Sequence, residues 1–137
     1  MPNKRRSKFI KFDIVDFYPS ISSELLSRAI KFAESTTHKI DRKIIETIMH
    51  ARKSLLFSNS QVWTKRENNN FDVTMGSYDG AEVCELIGLY LLNELEKEFG
   101  KDVIGLYRDD GLSCFRNLSG PQLEKHKKKI CQIFKNN

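Results

Sequence analysis

The stretch Gly105-Leu106-Tyr107-Arg108-Asp109-Asp110-Gly111-Leu112 places two adjacent carboxylates between apolar segments late in the chain. Apolar residues lead into it and away from it, and a glycine follows the acids. This pattern is typical of two strands joined by a tight turn. A turn that serves only the fold needs one Asp with a Gly, because two like charges at a hairpin tip repel each other. Hard oxygen ligands suit Mg²⁺, so the pair predicts a divalent cation at this tip.

A second stretch, residues 12–21, also runs an apolar strand into a carboxylate. Residues 8–15 alternate in polarity, so Asp13 is expected to point away from the face that carries Ile10 and Phe12. The strands that hold Asp13 and the Asp109-Asp110 pair are the most apolar in the chain, and we expect them to be neighbours in one sheet. Carboxylates that converge there would hold two Mg²⁺ ions about 3.5–4 Å apart.

The composition describes an ordinary globular chain with a mild basic surplus. It has 137 residues, 39% apolar and 30% charged, and a net charge of +5. These values allow a real core and exclude wholesale disorder. Lysine and arginine cluster in residues 4–8 and 125–129. Each basic run fits either a surface that binds nucleic acid or a solvated end segment.

The cysteines and the apolar runs predict an intracellular protein. The three cysteines are odd in number and widely spaced, which fits neither a disulfide framework nor a zinc site, so we expect reduced core thiols. No apolar run is long enough to span a membrane, and the first residues lack an apolar signal segment. Neither a membrane partner nor a particular oligomeric state is indicated.

The remaining pattern alternates helices with hairpins. Helices are expected from Ser20, Ser22 or Ser23 to about Glu34, from Asp41 to about Leu56, over residues 79–99, and from Ser119 or Gly120 to Phe134. Strands are expected over residues 61–65 and 71–75, around a turn at 67–70, and in a hairpin over 103–115. The order predicts an α+β fold, with helices on one face of an antiparallel sheet.

Three motifs taken together resemble a known family, the reverse transcriptases of retroelements. Asp13 followed by the aromatic pair Phe17-Tyr18 resembles the family's first palm motif, and Tyr107-Arg108-Asp109-Asp110 its Tyr-x-Asp-Asp motif. Residues 75–85 resemble the glycine-containing motif between them, with both glycines in place. There Met75 stands where the family has Gln, and Cys84-Glu85 where it has Ser-Pro. The resemblance covers residues 8–130.

The resemblance implies a polymerase palm-like antiparallel sheet with helices packed on one face and a partial fingers insertion. It treats residues 1–137 as a single palm fragment. Its segments are the first catalytic motif (8–20), a helical and hairpin insertion (21–70), the glycine loop and long helix (75–99), the Tyr-x-Asp-Asp hairpin (103–115) and a C-terminal helix (119–134).

The resemblance also implies the roles of individual residues. Asp13 and Asp109 would bind both metals with Asp110 beside them, and the carbonyl of Ile14 would complete one shell. Tyr18 would lie under the incoming sugar and exclude a 2′-hydroxyl, although it fits an aromatic core position as well. The other implied nucleotide-binding residues are Phe17, Met75 and Gly76, and the residues that support the motifs are Tyr107 and Gly80.

The implied activity is RNA-directed DNA polymerisation with two Mg²⁺ ions, or Mn²⁺ in their place, on a nucleic acid template–primer and deoxynucleoside triphosphates. Twelve residues precede Asp13 and three follow Phe134. We therefore expect a fragment that lacks the family's triphosphate grip and thumb and does not polymerise alone. Two alternatives stay open: a non-catalytic remnant or nucleic-acid-binding module, and another palm-type polymerase or nucleotide cyclase.

Overall fold

A computed structural model of the chain describes residues 6–64 and 71–137. The described residues form an α+β fold with antiparallel sheets, which confirms the predicted fold class. The elements are β1 (Ser7–Asp13), α1 (Phe17–Ser20), α2 (Ser23–Thr36), α3 (Arg42–His50), β2 (Leu56–Ser58), β3 (Gln61–Trp63), α4 (Gly80–Phe99), β4 (Ile104–Tyr107), β5 (Asp110–Arg116) and α5 (Gly120–Asn136).

The chain divides into two compact units, of which the first combines Met1–Val15 with Ile87–Asn137. Its sheet has the strand order β1-β5-β4, and both pairings are antiparallel. The predicted pairing of the first strand with the late hairpin is therefore confirmed. β5 is the central strand, and its residues 110–113 face register partners on both sides.

One face of this sheet is covered by helices, and the other is open. Ile10, Ile104 and Phe115 of the sheet pack with Leu95 of α4 and Ile130 of α5 in a buried cluster. The alternate residues of the strands are exposed, as the period of two along a strand requires. The prediction that helices cover one face of the sheet is correct for this unit.

The second unit, Asp16–Leu86, contains three helices, a short hairpin and the start of α4. Ser22 caps α2 by accepting a hydrogen bond from the Leu25 N–H, and Asp41 caps α3 by accepting one from the Lys43 N–H. Both caps were predicted, because Ser and Asp side chains satisfy the free N–H groups of a first helical turn. α2 extends two residues past the predicted end, to Thr36.

The middle of the chain differs from the sequence prediction. α3 ends at His50 and not near Leu56. The strand predicted at 61–65 is present as β3, but it pairs with β2 and not with residues 71–75. Asn59 and Ser60 both have positive φ, at 52° and 61°, so they form the two-residue turn of this hairpin. Phe71 forms an isolated bridge to Lys53. The turn predicted at 67–70 lies outside the described residues.

The structure confirms the predicted start of the last helix and corrects one prediction about the cysteines. Ser119 and Gln122 form the reciprocal capping pair that opens α5, as its predicted start requires. All three cysteines are free, and Cys84 is buried. The prediction of a core thiol is wrong for Cys131, because its position on α5 faces solvent. Within the described ranges, no helix combines the length and apolar character that crossing a membrane requires.

Candidate functional site

The three predicted acids lie together at one end of the β1–β5 pair. Asp13 is the last residue of β1 and is the register partner of Asp110, the first residue of β5. One step further, the Ile14 N–H donates a hydrogen bond of 2.9 Å to the Asp109 carbonyl oxygen. The pairing of the edge strand β1 with the central strand β5 therefore brings residues almost a hundred positions apart into direct contact.

The register also fixes how closely Asp13 and Asp110 approach. Hydrogen-bonded and non-hydrogen-bonded pairs alternate along an antiparallel ladder. Because Ile14 and Asp109 form a hydrogen-bonded pair, Asp13 and Asp110 are a non-hydrogen-bonded pair, in which the Cα atoms are about 4.5 Å apart and the side chains are closest. Both side chains are exposed on the open face of the sheet. Two carboxylates directly opposite each other destabilise a strand pair unless a cation lies between them.

The side chain of Lys11 contacts this acid pair. The Lys11 Nζ lies 3.9 Å from an Asp110 carboxylate oxygen, on the same face of the sheet. Both side chains are largely exposed, so this ion pair contributes little free energy. Lys11 offsets part of the negative charge and leaves the site accessible.

The hairpin tip is a tight two-residue turn that Arg108 and Asp109 form. Tyr107 and Asp110 are the last paired residues on either side of it. Arg108 has a φ of 54°, which type II′ turns require at their first central residue. Its guanidinium lies over the ring of Tyr107, 5.4 Å from the centroid, at a distance typical of a cation–π contact. This contact holds the arginine at Tyr107, whose own side chain is exposed.

A shallow depression of about 520 Å³ adjoins the acids on the open face of the sheet. Tyr107, Leu112 and Gly105 supply its apolar part, and Lys11 and Asp110 supply its charges. Tyr107 and Leu112 remain 68% and 54% exposed. The acid pair therefore lies beside an exposed surface that has room for a flat, partly apolar group.

Gly111 holds β1 and β5 in register beside the acids. Phe12 faces it across the strand pair, and a Cβ at position 111 would overlap the Cδ2, Cε2 and Cζ atoms of the Phe12 ring. The ring therefore occupies the space that a side chain would need. On its far side it packs against Phe134 of α5, with ring centroids 5.8 Å apart.

We expect Gly111→Ala to lower the free energy of unfolding by about 1–3 kcal/mol, the usual cost of overpacking. Gly105→Ala is the matched control in β4, since its nearest neighbour would be a carbonyl oxygen 4.0 Å away. Chemical denaturation measures both variants. Adding Phe12→Leu to Gly111→Ala should recover part of the loss, and equal losses for both glycine variants would contradict the role of the ring.

The glycine-containing loop belongs to the second unit and precedes α4. Gly76 has a φ of 84°, which L side chains rarely adopt, and Met75 beside it is 72% exposed. A Cβ at Gly80 would lie 2.8 Å from the Thr74 carbonyl oxygen, so a glycine is needed for the loop to turn into the helix. The local backbone therefore explains why glycine is favoured at both positions of the predicted motif.

Arg52 contacts both ends of this loop. Its carbonyl oxygen accepts a hydrogen bond of 2.8 Å from the Asp72 N–H. Its guanidinium forms an ion pair with Asp79, directly before α4. Arg52 is 2% exposed, and its Nε and Nη1 have no hydrogen-bond partner among the described residues. A single buried residue thus holds the start and the end of residues 72–79 in place.

The aromatic pair of the first motif forms the short helix α1 in the second unit. Phe17 is buried, at 4% exposure, and its ring meets the Tyr18 ring edge-on with centroids 5.9 Å apart. Tyr18 is partly exposed. Asp16, at the N-terminus of α1, has a φ of 52° and turns the chain between β1 and this helix. Phe17 therefore supports Tyr18 from within the unit.

Sequence reasoning missed two charged residues of these sites. Lys11 lies on the open face of β1, whereas its neighbour Phe12 lies on the covered face. The nearness of Lys11 to Asp110 depends on the register between β1 and β5. In the sequence, Arg52 follows Ile44 and Ile48 at helical spacing, where an apolar residue is expected. An arginine at an apolar position was the available signal that its charge is buried and needs a partner.

Among the described residues, no group of three or more His, Cys, Asp or Glu side chains is arranged to hold a metal ion. Comparisons with protein-family models, with curated proteins and with solved structures found no match to this chain.

Proposed function

We propose that this chain is the palm of a retroelement reverse transcriptase, which performs template-directed nucleotidyl transfer from deoxynucleoside triphosphates with Mg²⁺. One observation carries the proposal: Asp13 and Asp110 face each other at exposed strand ends, and Asp109 is bonded through its main chain to Ile14. The separate motifs of the sequence thus contribute acids to one small area. An isolated Tyr-x-Asp-Asp hairpin does not require this pairing with the first strand.

The acids fit Mg²⁺ as a partial ligand set. Mg²⁺ keeps several waters and binds through one or two carboxylates together with substrate phosphates, so a closed cage of protein ligands is not needed. Asp13, Asp109 and Asp110 would hold the ions, with the Ile14 carbonyl as a further oxygen ligand. Bound Mg²⁺ would activate a 3′-hydroxyl and neutralise the charge of the leaving pyrophosphate.

The remaining residues would position the substrates. Tyr107 and Leu112 offer an exposed apolar surface beside the acids, suited to a sugar or base. In the second unit, Gly76 keeps the loop free of a side chain so that the main chain can approach a base pair. Tyr18, supported by Phe17, would exclude a 2′-hydroxyl as the family resemblance implies.

A Mn²⁺ titration followed by electron paramagnetic resonance, with and without a deoxynucleoside triphosphate, tests the proposal. Mn²⁺ takes the same carboxylate and water ligands as Mg²⁺. We expect binding that the triphosphate strengthens, and that Asp110→Asn weakens at least about tenfold, or 1.4 kcal/mol. Asp102→Asn is the control, since Asp102 is an exposed acid of the same unit that lies outside the site. Equal affinities in both variants would favour a non-catalytic remnant.

Template preference separates the proposed activity from other palm enzymes. Deoxynucleotide incorporation is compared on RNA and DNA templates with the same primer sequence, for this chain and for any longer polypeptide that contains it. Faster incorporation on the RNA template supports the proposal. Incorporation on DNA alone, or formation of a cyclic nucleotide, contradicts it.

A further inference from the structure

The lysine cluster near the end of the sequence lies on an ordered helix. α5 carries five lysines and one glutamate, and it is anchored in the core by Ile130 with Leu123, Ile133 and Phe134. Because its apolar side is held against the first unit, the lysines keep a fixed spacing. The basic run at 125–129 is therefore part of an ordered helix and not a solvated end segment, which was one of the two interpretations that the sequence allowed.

Three of the lysines share one stripe of the helix with a glutamine. At 100° per residue, Lys125, Lys128, Gln132 and Lys135 fall within an arc of about 80° on the side opposite the core. All four are exposed. At a rise of 1.5 Å per residue the stripe is about 15 Å long, enough for its three lysines to contact different phosphates of a nucleic acid backbone.

The acidic residues near the stripe are paired with other lysines. Glu124 accepts a hydrogen bond of 2.7 Å from Lys127, which also lowers the pKa of the Glu124 carboxyl. Glu98 of α4 lies 3.5 Å from Lys129. These two lysines offset the nearby carboxylates, so the charge of the stripe itself is not cancelled by them.

The surface beside the stripe has room for a ligand. A depression of about 670 Å³ on one side is lined by Gln122 and Lys125, and also by Glu98 and Lys129. A second depression of about 400 Å³ is lined by Lys127 and Lys135. Lys128 and Gln132 line both depressions, so they form a ridge between them.

We infer that this stripe of α5 binds the sugar–phosphate backbone of a nucleic acid duplex. Rigidly spaced cations with a polar amide between them suit a regular row of phosphates, which lysine neutralises without reading sequence. α5 lies on the covered face of the sheet and the acid pair on the open face, so this contact is distinct from the candidate metal site. The inference rests on the proposed function for the choice of polyanion.

The salt dependence of duplex binding tests this inference. Anisotropy of a fluorescein-labelled DNA duplex is measured in EDTA, so that no metal-dependent binding contributes. Three phosphate contacts give a slope of about −2.7 in log affinity against log salt. Lys125→Gln/Lys128→Gln/Lys135→Gln should therefore reduce the loss of affinity between about 50 and 200 mM KCl by roughly 40-fold relative to the unaltered chain. Gln is a good helix former, and circular dichroism confirms that α5 is retained.

The matched control is Lys31→Gln/Lys39→Gln/Lys43→Gln, which removes the same charge from three exposed lysines outside α5. A slope that changes only in the α5 variant supports the inference. An unchanged slope, or the same change in both variants, overturns it. So does an α5 variant that loses binding to phosphatidylserine vesicles but keeps duplex binding. Failure of the Mn²⁺ titration would count against the proposed function and would leave this slope as it is.

Discussion

Asp79→Ala is expected to lower the free energy of unfolding by about 3–5 kcal/mol, the usual cost of leaving one partner of a buried ion pair uncompensated. Arg52 is almost completely buried, and Asp79 is its ion-pair partner in the described structure. Without that carboxylate, the guanidinium charge stays buried and loses its ion-pair partner. Urea denaturation, with the midpoint compared at an unchanged slope, measures the loss.

A double-mutant cycle separates the buried charge from the lost side-chain volume. Arg52→Met/Asp79→Ala should be much more stable than Asp79→Ala, because apolar replacement of a buried pair is often nearly neutral. Asp102→Ala is the control, an exposed position where we expect a change within about 0.5 kcal/mol. If Asp79→Ala behaves like this control, the carboxylate does not stabilise Arg52 in solution.

The sheet of the first unit was predictable because its signals are local and strong. Ile10 and Phe12 alternate with polar residues, which fixes the buried face of β1, and the tight turn before Asp110 fixes the hairpin. Two apolar strands that each end in an acid are expected to lie next to each other in one sheet. The sequence did not reveal the one-to-one register, because it depends on Phe12 lying over Gly111.

The hairpin of the second unit was misplaced for a physical reason. Leu55, Leu56 and Phe57 form a continuous apolar run, and such a run does not distinguish a helix from a strand. The helical spacing from α3 was therefore extended too far. Asn59 with Ser60 was the better signal, since Asn tolerates the left-handed backbone that a two-residue hairpin turn requires.

The contacts of Arg52 could not be predicted from local pattern. Its side chain reaches Asp79, 27 residues further along the chain, and its carbonyl oxygen reaches Asp72. No periodicity links these positions, because the loop between Asp72 and Asp79 has neither a helical nor a strand repeat. Contacts of this kind depend on how α3 and the loop pack, which only the folded structure shows.

Asp13→Asn is expected to change stability in opposite directions with and without metal. In EDTA the variant should be more stable by about 0.2–1 kcal/mol, because it removes repulsion between directly opposite carboxylates. In the unaltered chain, Mg²⁺ at about 100 times its dissociation constant should add about 2.7 kcal/mol, because the ion binds the folded state alone. The variant should lose most of this gain. Thermal unfolding at both conditions measures the two effects.

A substitution that raises stability in EDTA and lowers it in Mg²⁺ identifies the acids as a cation site. A carboxylate that serves only the fold would lower stability when replaced, whether or not metal is present. Asp102→Asn, an exposed acid of the same unit outside the site, should show neither the gain in EDTA nor the loss in Mg²⁺. If Asp13→Asn destabilises the chain in EDTA and keeps the full response to Mg²⁺, then Asp13 does not hold the ion, and the proposed polymerase site loses its central ligand.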